Sequence, residues 1–271
     1  MKKIASYLLV ILLSVTFASA QNKKELKLDS FTKISFRAEG KLYLRQGSPQ
    51  KVEVEGDRDY IEELDIRVEG DKLTMGKDNW SFWNWNNSSN KVTIYVTVPD
   101  IKAVSVSGSG DLIGETKITS RDLDLSVSGS GSMEIEADAS GLLSADVSGS
   151  GNIELKGKSN DFESRISGSG KVKLTIAVTD RATFGLSGSG KVIASGSAHE
   201  VKATISGSGE VLAEDLVVDT CDVRISGSGD VEINVNKELD ANISGSGSVT
   251  YKGNPSHVNS HSSGSGKVRK M

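Results

Sequence analysis

The tetrapeptide Ser-Gly-Ser-Gly occurs nine times in the 271-residue chain, at intervals of 18 to 21 residues. The nine copies begin at Ser107, Ser128, Ser148, Ser167, Ser187, Ser206, Ser226, Ser244 and Ser263. A repeat of this length is typical of solenoid proteins, in which each repeat contacts only its neighbours. We therefore expect a stack of similar coils rather than chain segments packed around one central core.

Apolar residues stand at fixed offsets from the first serine of each tetrapeptide. The residue just before it is Val, Ile or Leu in eight copies, as in Val106 and Ile166, and the residue five positions after it is always apolar, as in Leu112 and Val249. Offsets of minus five, minus three and plus seven are mostly apolar too. A spacing of two is the period of a β-strand. The pattern predicts an all-β fold, a single-stranded β-helix (β-solenoid) with about 20 residues and about three short strands per coil.

The glycines are expected to shape the corners of the coils. If the alternation continues through the tetrapeptide, both glycines face inward and both serines face outward. If it breaks, the glycines supply a positive φ at a corner and the serines link neighbouring coils. The predicted structural glycines are Gly108, Gly110, Gly129, Gly131, Gly149, Gly151, Gly168, Gly170, Gly188, Gly190, Gly207, Gly209, Gly227, Gly229, Gly245 and Gly247.

The region before the first SGSG is expected to contain one or two degenerate coils that continue into the nine regular ones. The stretch ISFRAEGKLYL, starting at Ile34, carries apolar residues at the same offsets without the tetrapeptide, and DIRVEGDKLTM, starting at Asp65, nearly repeats it. Residues 52–54 and 92–98 alternate as further strands. At the other end, Ser262 stands in the core column, and polar residues and lysines on this final coil would discourage edge-to-edge pairing.

The N-terminus has the pattern of a secretory signal peptide. Lys2 and Lys3 precede the apolar run 7–17, and Ala18-Ser19-Ala20 supplies small residues at a cleavage site. The run is too short to span a membrane. We expect an exported protein, located in the periplasm or at the cell surface.

The predicted boundaries follow from these features. They are a signal peptide (1–20), an N-terminal lead (21–30) and a single β-helix domain (31–271), with degenerate coils at 31–100 and regular coils at 101–271.

Charge and cysteine content exclude several functions. The chain has 32 basic and 36 acidic residues and shows no basic stripe, which argues against nucleic acid as a partner. Cys221 is the single cysteine, so no internal disulfide forms. Cys221 stands in the minus-five column, where a buried, unreactive thiol is expected.

The segment KDNWSFWNWNNSSNK, residues 77–91, contains all three tryptophans of the chain. Aromatic side chains interleaved with asparagine suit the stacking and hydrogen bonding of sugar rings, and exposed aromatic clusters mark interaction sites. The alternative is that the aromatics fold back as a lid over the solenoid. The double column of serines is a second candidate surface, against a tight glycine corner with incidental serines. The candidate binding residues are Trp80, Phe82, Trp83, Asn84, Trp85 and Asn86.

The remaining residues give little support for catalysis or for metal binding. His257 and His261 fall in the last coil, where solvent-exposed histidines are favoured over metal ligands. The position after SGSG includes three lysines, which excludes a repeated calcium site. The outward minus-four column has mixed charge, which indicates a solvated face with weak ion pairs. We predict no catalytic residues, no metal and no cofactor. The members of that column are Asp124, Glu163, Lys202, Asp222 and Asp240.

Three stretches together resemble a known family: FTKISFRAEGKLYLRQGSPQKVEVEGD, the junction VTVPDIKAVSVSGSG, and the SGSG coils. Over about residues 30 to 270 the chain resembles the bacterial GIN-domain family, which is described as autotransporter-adhesin heads. The resemblance implies an exported, right-handed β-helix and brings no catalytic residues.

The favoured function is a non-enzymatic adhesin-like or scaffold protein that binds glycans or an envelope protein, with self-association as an option. One alternative is a polysaccharide-active β-helix enzyme. The other is a purely structural periplasmic protein whose solenoid stacks end to end.

Overall fold

The computed structural model describes residues 22–76 and 92–271. They form one sheet that winds into a β-solenoid of about 8 turns, about 20 residues apart, as the repeats predict. The opening region contains β1 (Asn22–Leu26), β2 (Lys33–Arg37), β3 (Gly40–Gln46), β4 (Lys51–Gly56), α1 (Arg58–Glu62), β5 (Asp65–Glu69), β6 (Lys72–Gly76) and β7 (Val92–Val98).

The regular coils follow without a break in the chain. They contain β8 (Ala103–Gly108), β9 (Asp111–Gly114), β10 (Ile118–Ser120), β11 (Leu123–Gly129), β12 (Ser132–Ala139), β13 (Leu142–Gly149), β14 (Asn152–Ser159), β15 (Asp161–Gly168), β16 (Lys171–Val178), β17 (Arg181–Gly188), β18 (Lys191–Gly207), β19 (Glu210–Gly227), β20 (Asp230–Gly245), β21 (Ser248–Lys252), β22 (His257–Gly264) and β23 (Lys267–Lys270).

The first regular coil contains three short strands, β8, β9 and β10, as predicted, but the coils after it contain two strands or one, so the prediction of about three is wrong for them. In the coil made by β13 and β14, the eight residues of β13 end inside the SGSG corner at Gly149, and the eight residues of β14 follow the corner. The reason is visible in β16, where Val172, Leu174, Ile176 and Val178 alternate strictly with exposed residues and nothing interrupts the strand. In β18, β19 and β20 the strand even continues around the second corner of the coil.

The predicted columns are confirmed by the parallel register. Ile166 lies between Val147 on one neighbouring coil and Leu186 on the other, and all three side chains are buried. Each such side chain contributes about 1.5–3 kcal/mol by leaving water. A single coil could not enclose these side chains, so the stability of each coil depends on the coils above and below it.

Both predicted outcomes for the glycines occur, each at a different glycine of the tetrapeptide. The first glycine has a positive φ, as in Gly168 with φ +116°, and turns the corner. The second is buried, and a Cβ on Gly170 would lie 2.7 Å from the carbonyl oxygen of Gly151 in the coil below. Only glycine fits at either position. The serines of the corner, such as Ser167 and Ser169, are exposed.

The opening coils do not stack in chain order. Strand β2 pairs in parallel with both β6 and β8, and β3 pairs with both β7 and β9. The coil made by β2 and β3 therefore lies between the coil made by β6 and β7 and the first regular coil. Phe36, at the centre of this arrangement, is completely buried.

Antiparallel strands cover the N-terminal end of the solenoid. Strand β4 pairs antiparallel with β7, and β1 pairs antiparallel with β4, so part of the predicted lead is a strand. Strand β5 pairs antiparallel with β6. The interpretation of DIRVEGDKLTM as a coil corner is therefore wrong. The stretch is a hairpin, because Gly70 (φ +63°) reverses the chain between its two apolar pairs.

The short helix α1 completes this cap. The Asp57 side chain accepts hydrogen bonds from the Asp59 and Tyr60 amides, which is the usual N-cap arrangement. Tyr60 and Ile61 pack, half buried, against the core. No helix in residues 22–76 or 92–271 is long and apolar enough to span a membrane.

The C-terminal coil has no comparable cover within the described residues. Every residue of β22 is exposed, and Val258, whose column is buried in the coils below, is 39% exposed. Ser262 takes the place of the buried Ile243. The polar residues expected on this final coil are thus where the sequence predicts them.

Candidate functional site

The tryptophan segment, residues 77–91, lies outside the described residues, and so do the candidate binding residues Trp80, Phe82, Trp83, Asn84, Trp85 and Asn86. The structure does define where the segment is attached. Gly76 ends β6 beside Arg37, and Val92 begins β7 beside Gly40. In the adjacent coil only two residues, 38 and 39, join the corresponding strands. The segment is thus a long insertion at the corner of the end coil.

Two stacked tyrosines lie on the outer face close to this corner, and the sequence interpretation missed them. The rings of Tyr43 and Tyr95 are 5.3 Å apart and nearly parallel, and Lys23 Nζ lies 4.6 Å from the centre of the Tyr95 ring. Burial, with the nearby carboxylate of Glu55, raises the pKa of Tyr95. Alignment of KLYL in β3 with TIYV in β7 would have revealed the pair. Because their faces stack on each other, they strengthen the fold rather than offer a face to a ligand.

The serines of the SGSG corners form two exposed columns along the solenoid. Their backbone is held by the ladder, as where the Ser169 amide donates to the Gly149 carbonyl at 2.8 Å. Within the part of the chain that the structure describes, no hydrogen bond joins a hydroxyl of these corner serines to another residue. The columns therefore present regularly spaced hydroxyls to solvent.

The minus-four column consists of local contacts, not of an arranged acid–base pair. Ser144 Oγ donates to Asp124 Oδ1 at 2.6 Å, and Arg224 donates to Asp222 Oδ2 at 2.6 Å. Glu163 pairs with Arg165. These exposed or half-exposed pairs contribute little to stability. Asp124, Asp222 and Glu163 are each engaged by a neighbour, and this arrangement suits a charged outer face.

The histidines and the cysteine are distributed along the solenoid. His257 and His261 are exposed on β22, and His257 Nδ1 lies 3.1 Å from Ser256 Oγ. His199 and Lys237 both contact Asp219 Oδ2, at 3.1 Å and 2.9 Å. The hydrogen bond from Lys237, with the contribution of His199, lowers the pKa of Asp219. These three residues lie on successive coils and form a surface ion-pair network.

Cys221 lies in the minus-five column between Val201 and Leu239, as expected for a small buried side chain. It is 3% exposed, and burial raises the pKa of its thiol. A thiol kept neutral and away from solvent is a poor nucleophile. Cys221 is therefore a packing residue.

A groove of about 1070 Å³ runs along the second corner of the first coils. Its lining mixes acidic residues such as Asp100 and Asp122 with basic residues such as Lys102 and Arg121. Across residues 22–76 and 92–271, no group of three or more His, Cys, Asp or Glu is placed to hold a metal ion.

Together, the filled interior, the glycine corners and the outward polar columns define a β-solenoid of the repeat-protein class. The chain belongs to the family described as "Putative auto-transporter adhesin, head GIN domain", whose model matches residues 30–194 and 159–255. The resemblance found in the sequence is thereby confirmed. Family membership gives the protein an adhesin-like character and associates it with the cell surface.

Several solved structures of similar fold come from Bacteroidetes. One, described as a "Putative lipid binding protein" from Parabacteroides distasonis, is 26% identical, with a TM-score of 0.68 over 93% of this chain and 96% of that one. A "putative adhesin" from Parabacteroides merdae is 22% identical, with a TM-score of 0.71 over 93% and 96%. A "putative adhesin" from P. distasonis is 22% identical, with a TM-score of 0.70 over 93% and 97%. No protein of curated function matches the sequence.

Proposed function

We propose that this protein is an exported, non-enzymatic adhesin-like protein that binds surface glycans through the tryptophan segment, residues 77–91. The solenoid is the rigid support, and the segment is the recognition element. The family, with its adhesin description, supplies the class of function. The segment supplies the chemistry, because aromatic rings stack on sugars while amides bond their hydroxyls.

The attachment of the segment is the observation that carries this proposal. The strands that bracket it, β6 and β7, belong to the outermost parallel coil, and their neighbours β2 and β3 are joined by two residues only. An insertion at this point is supported by a fully paired coil below it. Binding residues placed on loops of a rigid scaffold are a common arrangement.

The composition of the segment also favours a glycan as its ligand. Residues 79–90 contain three tryptophans and one phenylalanine and no charged residue. Tryptophan combines a large apolar surface with an N–H donor, so it suits sites that are apolar on one side and wet on the other. An uncharged aromatic segment fits a neutral glycan better than a phosphate or a nucleic acid.

Binding to a glycan array tests the proposal, with the wild-type chain, Trp83→Ala and Leu142→Ala compared at equal concentration. Leu142 is an exposed apolar residue on the side of the solenoid, 39% exposed, and serves as the matched control. We expect Trp83→Ala to weaken binding about tenfold or more, and Leu142→Ala to bind as wild type. Equal binding by wild type and Trp83→Ala would show that the tryptophan segment does not bind the glycan. Binding to envelope proteins alone would replace the glycan by a protein partner.

Two further measurements test whether the protein lacks enzyme activity and whether it is exported. Acidic and neutral polysaccharides incubated with the protein, with and without calcium, are expected to release no new reducing ends, and release would favour an enzyme. The N-terminus of the protein recovered from the cell envelope is expected to be Gln21, as the predicted signal cleavage requires.

A further inference from the structure

The strands of the last coil are held on one side only. Within the described residues, β22 pairs with β20 alone, and β23 pairs with β21 alone. The core is also less covered at this end, because Val258 is 39% exposed, whereas Leu239 in the coil below it is fully buried. The last coil can therefore separate from the solenoid by breaking a single ladder of hydrogen bonds on each face.

The strands of the opening region are held on both sides. Strand β2 lies between β6 and β8, and β7 lies between β3 and β4. Phe36 in β2 and Val96 in β7 are buried between these neighbours. Neither strand can leave the sheet unless two ladders break together.

The side chain of Gln46, at the end of β3, fastens the opening region to the coil that follows. Its Nε2 donates to the carbonyl oxygens of Pro99 and Thr119, each at 3.0 Å, and its Oε1 accepts from the Thr119 amide at 2.7 Å. Beside it, Arg45 forms an ion pair with Glu115. These contacts join β3 to two later segments of the chain, so the opening region resists separation as one unit.

The regular coils between the two ends can separate in sequence. Each coil of a solenoid contacts only the coils above and below it. Once β22 and β23 have left, β21 and the second half of β20 become the terminal strands, and each is again paired on one side only. The same situation recurs at every coil down to β8 and β9. The next strand, β7, is the first that two ladders hold.

We propose that the solenoid is a stepwise extensible tether. When its two ends are pulled apart, the regular coils unwind one at a time from the C-terminal end, and the opening region stays folded until they are gone. Forced unfolding follows the barrier of each part, and the barrier is lower where one ladder breaks than where two break together. The opening region, to which the tryptophan segment is attached, is thereby protected from tension. Unwinding involves no glycan, so this inference is independent of the proposed glycan binding.

Single-molecule force spectroscopy tests the proposal. Handles are attached at Ser30→Cys, an exposed position before β2, and at Met271→Cys, in a Cys221→Ala background. We expect about eight small releases of about 20 residues each, which is about 65–70 Å of contour length. One release of residues 31–102 should follow, about 240–260 Å long. A single release of the whole chain, or a large release that precedes the small ones, overturns the proposal.

A second attachment point identifies the origin of the large release. With handles at Ser126→Cys and Met271→Cys, in the same background, the opening region lies outside the loaded segment. We expect the small releases alone. A large release that persists with these handles would show that it does not come from the opening region.

Deletion of one repeat tests whether each small release is one coil. Removal of residues 168–187 joins Ser167 to Gly188, which restores an SGSG corner and keeps the apolar columns in register. We expect one small release fewer than in the wild-type repeat array and an unchanged large release. Circular dichroism verifies that the β-structure is retained. An unchanged number of small releases would contradict unwinding coil by coil.

Discussion

In the regular coils each strand lies between the strands one repeat before and one repeat after it, whereas in the opening region it lies between strands far apart in sequence. Ile166 contacts Val147 and Leu186, as its column predicts. Phe36 lies between Met75 and Val106. The coil that contains Met75 lies outside the Phe36 coil in the stack, although it follows the Phe36 coil in sequence. Both residues are equally buried.

The comparison shows that the core needs matching side chains on adjacent coils, but not chain continuity between them. The regular coils satisfy this need by repetition, with two glycines at each corner that let successive coils approach closely. The opening region satisfies it by a crossover and by antiparallel strands, which also cover the end of the core. Substitutions in the two regions separate these two ways of building the same core.

The largest expected effect is at a regular corner. Gly168→Ala places a Cβ 2.5 Å from the Gly149 carbonyl oxygen at a φ of +116°. Backbone strain and crowding cost about 1–3 kcal/mol each, so we expect a loss of about 2–6 kcal/mol in the free energy of unfolding. Gly70→Ala, at φ +63° in the opening hairpin with open space around it, is the control and should cost about 1 kcal/mol. Urea denaturation measures both. Equal losses would mean that close stacking does not require the corner glycine.

Phe36→Ala tests the stacking order of the opening coils. Because Phe36 is enclosed between two coils, we expect a loss of about 3–5 kcal/mol, similar to Phe184→Ala in a regular coil. If the coils stacked in chain order, Phe36 would lie in the end coil and its truncation would cost much less. Thermal denaturation of the two variants, run side by side, distinguishes these arrangements.

Thiol labelling compares how often the two regions open. Cys221 is buried between regular coils and its pKa is raised by burial, so a thiol reagent should react with it only after local unfolding. A cysteine at the buried Val54, introduced as Val54→Cys in a Cys221→Ala background, lies one strand from the end of the sheet. We expect it to react about tenfold faster or more, because strands near an end open more readily. Slower labelling at position 54 would show that the cap is the more stable region.

The smallest effect concerns the surface ion pairs. Lys237 lowers the pKa of Asp219 in the regular coils, and Lys33 lowers that of Asp71 in the opening region. A lowered pKa contributes stability above the unfolded value of about 3.9, and this contribution is lost as the pH falls through the folded pKa. Asp219→Asn and Asp71→Asn should each lower the urea midpoint slightly at neutral pH and leave it unchanged near pH 2. A larger loss in acid than at neutral pH would reverse the assigned sign.

The regular coils could be predicted from sequence because residues at equivalent positions of consecutive repeats contact one another. A residue such as Val211 identifies its partners Val192 and Val231 by position alone, and strict alternation identifies which residues face inward. The number of strands per coil was predicted less well, because a corner that keeps its ladder hydrogen bonds does not interrupt the apolar pattern.

The opening region could be predicted only in part. Its strands were recognisable from their alternation, but periodicity does not specify which strands are neighbours when the chain crosses over. The hairpin at Gly70 resembled a coil corner because both place two apolar pairs around a glycine. The Tyr43–Tyr95 stack was missed since it depends on that pairing. The proposed binding residues, Trp80 to Asn86, were singled out by composition, and they remain a prediction.

The central claim, that equivalent residues lie directly above one another coil after coil, can be tested by spin-label distances. Ser126 and Asn242 occupy the same outward column, six coils apart. With labels at Ser126→Cys and Asn242→Cys in a Cys221→Ala background, we expect a narrow distribution near 29 Å, which is about six spacings of about 4.8 Å. Replacing Asn242→Cys by Arg224→Cys should shorten the distance by about one spacing of 4.8 Å. A broad distribution, or no change between the two pairs, would contradict the stacked solenoid.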